Sequence, residues 1–300
     1  MPDHLPTMSR TAPEGLRGAG RLATWAPALP RYVACDVDGT LVSRSQVPTR
    51  RVIEAVSRLT EAGVQVGLAT GRMQQGVAEI LALDIFTGPH VFNNGSLVMN
   101  NAGEVLRTWS LSSDAVDGLL AFGRTRHDVA VEIYVADGYL TDRDDARSQA
   151  HVDLLGVGPS ARITSAADLD GRAAIKAVVV AFEPEGFEAA FAAATELGVG
   201  LGPASSPATP QLRFLNVTHR DTDKGQGVLA AAEAAGADAS ALAVLGDETN
   251  DLPMLAIAGT AIAMGGSPSE VLELAHLEAP RFDENGAAAA LEALLGLVTG

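Results

Sequence analysis

Tyr32-Val33-Ala34-Cys35-Asp36-Val37-Asp38-Gly39-Thr40-Leu41 decides the reading of this chain, because an apolar run ends abruptly in two carboxylates one residue apart. A buried strand that carries Asp36 and Asp38 to its carboxyl end could offer one as nucleophile and the other as proton donor, with room for a metal between them. Taken alone, the segment reads equally well as a turn, since Asp-Gly is a common hairpin signal. A calcium loop also begins with acids at this spacing, but Val47 stands where that loop needs a bidentate glutamate.

Working outward, the chain from residue 32 alternates short apolar runs with longer segments of helical period, the pattern of a parallel sheet covered by helices. Strands are predicted at 32–37, 65–69 and 90–92, with helices near 49–62 and 73–83 between them and an Asn93-Asn94-Gly95 turn at the end. The alternation resumes with a helix at 224–236, a strand at 241–245, a helix after Asn250 and a strand at 260–263. Ser267-Pro268-Ser269-Glu270 then reads as a capping box with proline at the first helical position. Between these halves, residues 112–212 give hairpins: a helix from 113 to 126, strands near 130–135, 138–142 and 173–182, a helix at 185–197 and a strand at 212–217. The fold class is therefore α/β, a doubly wound parallel sheet with an inserted α+β domain. The expected division is a core of 31–111 and 213–300 with an insert of 112–212. Gly202 to Pro210 is rich in proline and serine and reads as a connection back to the core. Residues 1–30 carry five prolines and no sustained apolar period, the mark of a flexible extension.

Composition narrows the partners. With 47% hydrophobic and 19% charged residues the chain can build proper cores, and a formal charge of −16 disfavours a nucleic-acid or anionic membrane surface. No apolar stretch reaches the length of a membrane helix. Cys35 is the only cysteine, so no internal disulfide can form, which suits a cytoplasmic setting; within its apolar strand it reads as a small buried hydrophobe. None of the six histidines pairs with another at metal-binding helical spacing, and none is assigned a role.

Four polar clusters each follow an apolar strand or open a helix, and in an open parallel sheet such positions share one edge. The first is Asp36, Asp38 and Thr40. The second, Thr70-Gly71-Arg72, offers a hydroxyl and free backbone N–H groups to an anion, although a plain helix N-cap explains it alone. The third, Asp223-Lys224-Gly225, sets a lysine against the helix dipole, where a cation is disfavoured unless an anion is near. The fourth, Gly246 to Asp251, supplies oxygen donors suited to a hard cation, or else merely starts a helix. Together they match what phosphoryl transfer requires: acids, a hydroxyl, a lysine and a site for magnesium.

The order of these motifs resembles the haloacid dehalogenase superfamily of phosphohydrolases, whose DxDGT, (L/A)TGR, DKG and GDxxND elements occur as Asp36 to Thr40, Ala69 to Arg72, Asp223 to Gly225 and Gly246 to Asp251. Asn94 to Val98 looks like the Asn-Gly-Ala hairpin of the Cof-type subgroup, which carries a type C2B cap. Spacing agrees: 33 residues separate Asp36 from Thr70, whereas 153 lie between Thr70 and Lys224, so only the second interval can hold a domain. The resemblance implies that Asp36 is the nucleophile and Asp38 the acid/base, with Thr70, Gly71, Lys224 and Asn250 binding the substrate phosphoryl group. It implies Mg2+ held by Asp36, the backbone carbonyl of Asp38, and Asp247, with Asp251 behind them. Two positions depart from the pattern: Glu248 replaces a small or amide residue and is expected to face solvent, and Met264-Gly265-Gly266-Ser267 lacks the usual asparagine.

The activity implied is magnesium-dependent hydrolysis of a small phosphorylated metabolite, sugar phosphates first and then FMN or pyridoxal phosphate, by a monomer or homodimer, with the cap selecting the leaving group. A hexose phosphomutase and a non-catalytic binding protein on the same fold are the alternatives. On the predicted cap, Glu132, Tyr134, His151 and Arg213 are polar, and a solvated face explains them as well as a substrate contact does.

Overall fold

Residues 11–43, 47–205 and 209–299 are described by the structure, a computed structural model. The chain divides into two units. One comprises the chain up to Thr70, Glu79–Leu106 and the chain from Asp223 onward; the other is Gly71–Ala78 with Arg107–Thr222.

In the first unit Tyr32–Cys35 is buried at every position, as a strand covered on both faces must be. It lies inside a six-stranded sheet ordered Arg17–Gly18, Leu277–Arg281, Thr260–Gly265, Leu242–Gly246, Tyr32–Cys35, Gln65–Leu68. All neighbours run parallel except the first pair. Helix Arg50–Glu61 buries Val52, Ala55, Val56 and Leu59, one stripe at helical spacing, and starts where the Thr49 hydroxyl accepts the Val52 N–H. It packs against the alanine-rich helix Gly286–Thr299, whose small side chains allow close approach. Helix Lys224–Ala234 is opened by Asp223, which accepts from Gln226 N. His90–Phe92, Leu97–Met99 and Val105–Thr108 form a separate three-stranded sheet, joined to the main one at the Ala69–Val91 bridge.

Three expectations need correction. Residues 11–30 are not a loose extension: Arg17–Gly18 pairs with the last strand, Arg21 donates to the carbonyls of Leu255 and Leu274, and buried Trp25 donates to the Thr260 hydroxyl. Residues 1–10 lie outside the described part. Ser267 makes no capping box; its hydroxyl donates to Met264 O, and Pro268 is the N-cap of helix Ser269–Leu274. The helix expected at 73–83 is a 3-10 turn, Gln74–Val77, followed by one α turn, Ala78–Leu81, in a stretch weakened by Gly76.

The second unit is a six-stranded sheet ordered Gly200–Ala204, Arg213–Thr218, Lys176–Ala181, Val129–Val135, Gly138–Thr141, Ala161–Arg162. Only the last pair is parallel. Arg213–Thr218 therefore belongs to the insert, paired on both sides, and the insert runs on to Thr222 rather than ending at 212. Gly202 to Ala204 lies in the edge strand Gly200–Ala204, where Pro203 is tolerated; residues 206–208 are outside the described part. Helices Ser113–Arg124 and Pro184–Glu196 pack on one face, over Val129, Val131, Ile133, Ala177, Val179, Leu215 and Val217.

On the opposite face several polar residues are buried among apolar ones. Glu132 accepts from Tyr134 Oη at 2.9 Å and lies 2.8 Å from His151 Nδ1, on helix Ala146–Leu155. The Lys176 ammonium sits 4.5 Å from the centre of the Tyr134 ring. Burial lowers Lys176 to about 8, against the pull of Glu132. Three of the groups attributed to a solvated face are thus enclosed, and Arg213 alone is exposed.

Candidate active site

Asp36 follows directly on strand Tyr32–Cys35, and its N–H continues the ladder to Leu245 O. On one side the neighbouring strand leads to Ala69 and Thr70; on the other, Leu242–Gly246 leads to Asp247. Sheet register therefore brings the first, second and fourth clusters to one edge.

Beyond Asp36 the chain turns tightly. Val37 O accepts from both Leu41 N and Val42 N, and Gly39 N donates to Val42 O. Gly39 has φ +83°, and a Cβ there would sit 2.1 Å from Asp247 Oδ2, so backbone conformation and space both demand glycine. The turn places the Thr40 hydroxyl to donate to Asp247 Oδ1 at 2.8 Å and leaves Asp38 exposed on the same turn.

Lys224 answers the objection that a lysine at a helix start needs an anion. Its buried Nζ donates to Asp36 Oδ1 at 2.7 Å and to Asp251 Oδ1 at 2.5 Å. Asp251 Oδ2 in turn accepts from Asp247 N and Glu248 N. Both oxygens of Asp251 are occupied, so this buried carboxylate holds the loop and the lysine in place. Asn250 donates from Nδ2 to Asn94 Oδ1 at 3.3 Å, and the Asn94 N–H is bonded to Thr70 O. Gly71, by contrast, begins the stretch grouped with the insert.

One ammonium faces three carboxylates here. Burial drives Asp36 well above the usual carboxylate range; Lys224 opposes this, and Asp251 adds to it. Burial likewise raises Asp247 to about 6, against the Thr40 hydrogen bond. For Lys224 burial acts downward, but Asp36 and Asp251 outweigh it and hold the ammonium above its ordinary value. Ligand oxygens of Asp36, Asp247 and Asp251 lie within 4.8 Å of one another. An excess of buried carboxylate oxygen is a donor set that suits a hard divalent cation. Beside it a cavity of about 260 Å³ opens between Gly39, Asp247, Glu248, Gly266, Ser267 and Arg281. Gly266, at the position of the missing asparagine, has φ +90°, a backbone that a side chain resists, and it borders this cavity. Glu248 is exposed, as expected, and Cys35 is a buried thiol pushed upward by desolvation.

The sequence reading missed Lys176, although a charged residue opening the run Lys176-Ala177-Val178-Val179-Val180-Ala181 was a usable signal. It also assigned no role to Asn94.

A carboxylate held by a buried ammonium at the carboxyl edge of a parallel sheet, beside a metal-competent acidic group, is an arrangement able to support phosphoryl transfer. The family model for haloacid dehalogenase-like hydrolases matches residues 33–291, and the chain belongs to that family. It is similar to the 5-amino-6-(5-phospho-D-ribitylamino)uracil phosphatase YwtE of Bacillus subtilis (strain 168), at 24% identity over 290 residues, 88% of this chain and 98% of the relative. It is also similar to the HMP-PP phosphatase of Cronobacter sakazakii (strain ATCC BAA-894), at 28% identity over 255 residues, 83% of this chain and 89% of that one. Among solved structures, the HAD subclass IIB sugar phosphatase BT4131 superposes with a TM-score of 0.71 at 21% identity, over 89% of this chain and 99% of that one. That likeness speaks for the fold. The chain is a phosphatase of this family, and no helix among its described residues is long and apolar enough to cross a membrane.

Proposed function

We propose that this chain hydrolyses a small phosphomonoester in two steps through an aspartyl-phosphate at Asp36, with magnesium as its metal. The observation that carries the reading is the Lys224–Asp36 contact at 2.7 Å, with Asp38 exposed two residues further along the same turn. One carboxylate is held still and the other faces outward.

In the first step an Asp36 oxygen bonds to phosphorus as the ester oxygen leaves, and Asp38 gives that oxygen its proton. In the second, Asp38, now a carboxylate, takes a proton from the attacking water, and the phosphorus–Asp36 bond breaks to release inorganic phosphate. Lys224 keeps Asp36 ionised beside a dianionic substrate, a task that burial makes necessary. Thr70, Gly71 and Asn250 hold the phosphoryl oxygens. Asp36, the Asp38 carbonyl and Asp247 would hold magnesium, which supplies positive charge to the phosphoryl group when bound. Asp251 fixes both Asp247 and Lys224 by hydrogen bonds.

For the substrate, sugar phosphates come first and FMN or pyridoxal phosphate next. The named relatives support the general class: YwtE acts on a phosphoribitylamino-uracil, and BT4131 is a sugar phosphatase. The inserted unit is the part of the chain that selects the leaving group. The chain's single cysteine, Cys35, suits work in the cytoplasm. The test is phosphate release over phosphorylated sugars, nucleotides and cofactors, with and without magnesium, alongside Asp36→Asn. No metal-dependent release from any of them, or equal release by Asp36→Asn, would refute the reading.

A further inference from the structure

Asn93, Asn94 and Gly95 have φ of +53°, +55° and +103°, the only run of three left-handed residues in the described chain. Two of them are not glycine, so the backbone holds a conformation that side chains resist. Asn93 Oδ1 and Ser96 Oγ are also enclosed without a hydrogen-bond partner. A segment that keeps such local costs must be fixed by what surrounds it.

Three neighbours fix it, and each carries a phosphoryl-binding group. The Asn94 N–H donates to Thr70 O at 3.0 Å. Asn94 Oδ1 accepts from Asn250 Nδ2 at 3.3 Å. At Gly95, a Cβ would fall 2.0 Å from Asp223 O and 3.2 Å from Lys224 N, so the glycine backbone lies directly on the first turn of the lysine's helix. These residues come from three separate stretches of chain, and this loop is where they meet.

We propose that Asn94 is a positioning residue for phosphoryl transfer, orienting the Asn250 carboxamide while its backbone ties Thr70 to the Lys224 helix. A carboxamide has two N–H donors. With one given to Asn94, the other is directed by the amide plane and can meet a phosphoryl oxygen without the side chain first losing its freedom. This inference rests on the phosphohydrolase reading above.

The informative substitution is Asn94→Gly, which keeps the left-handed backbone free of strain and removes only the acceptor. Turnover of p-nitrophenyl phosphate and competitive inhibition by inorganic phosphate are measured for the intact chain, Asn94→Gly, Asn250→Ala and the double variant. Asn94→Gly should lose about fivefold in kcat/KM, the value of one neutral hydrogen bond. Phosphate inhibition should weaken alongside it, with the urea midpoint held or raised. The double variant should be no worse than Asn250→Ala, because the first substitution acts only through the second residue. A change below twofold in Asn94→Gly, or losses that multiply in the double variant, would overturn the proposal while leaving the phosphohydrolase reading intact. An unaltered chain that neither turns over the ester nor binds inorganic phosphate would overturn both.

Discussion

Replacing Lys224 with methionine keeps a side chain of similar length and removes the ammonium that Asp36 and Asp251 share. Two charge-assisted contacts, 2.7 and 2.5 Å, disappear from a site where the lysine side chain has no exposure. Removing one partner of a buried ion pair typically costs about 3–5 kcal/mol, because the remaining charge is stranded. Here the stranded group includes Asp247 as well, since ligand oxygens of all three acids lie within 4.8 Å. The carboxylates can relieve the strain by taking up protons. Asp36 is already pushed upward and Asp247 stands at about 6 with the lysine present, so both rise further without it. A group whose pKa is higher folded than unfolded binds more protons in the folded state, so its penalty is largest at high pH and fades as pH falls through the folded value. The expected loss is therefore about 4 kcal/mol at pH 8, falling to about 2 at pH 5. Urea unfolding followed by circular dichroism at both pH values measures it. Millimolar magnesium should restore part of the loss at pH 8 by binding only the folded carboxylates. A loss below about 1 kcal/mol, or the same loss at both pH values, would refute the view that Lys224 neutralises a crowded acidic site.

Other outcomes can be checked as readily. Gly39→Ala should push Asp247 aside, since the added carbon would lie 2.1 Å from its Oδ2, and so abolish metal-stimulated phosphate release; far-ultraviolet dichroism should show the fold intact. Trp25→Ala should cost about 3–5 kcal/mol in urea unfolding, as for other buried tryptophans, because Trp25 is packed and bonded to Thr260. His90 accepts the Leu68 N–H through Nδ1, and burial lowers its pKa from 6.5 to about 4. Since the unfolded chain binds the extra proton between those values, this residue's contribution should be complete above pH 6.5. It should fall by up to about 3 kcal/mol as pH drops to 4, and His90→Gln should remove that slope from the stability profile.

The parallel core was legible because its strands, Tyr32–Cys35 and Leu242–Gly246, are apolar without interruption and break off into acids. Lys224 was legible as a cation in an unfavourable place, and the structure supplies its two anions. Edges and inserted parts were harder. The pairing of Arg17–Gly18 is made by backbone groups, which leave no mark on side-chain pattern. Val129–Val135 is buried at every position, so Glu132 and Tyr134, polar at alternate sites, looked like residues facing water. Period tells which side a residue is on, not whether that side is wet. Asn94 carried the signature of a turn, and nothing local could reveal that the turn touches Thr70, Lys224 and Asn250.

The strand bearing Asp36 has its neighbour Leu242–Gly246 far along the chain: Thr40 and the Asp247 it binds are 207 residues apart. At about 5–20 residues per second, a ribosome needs roughly 10–40 s to make that stretch. Until then Asp36, which we propose as the nucleophile, lacks Asp247 and Asp251. A chain stalled before residue 247 would therefore carry Asp36 without the acidic group that the proposed reaction needs.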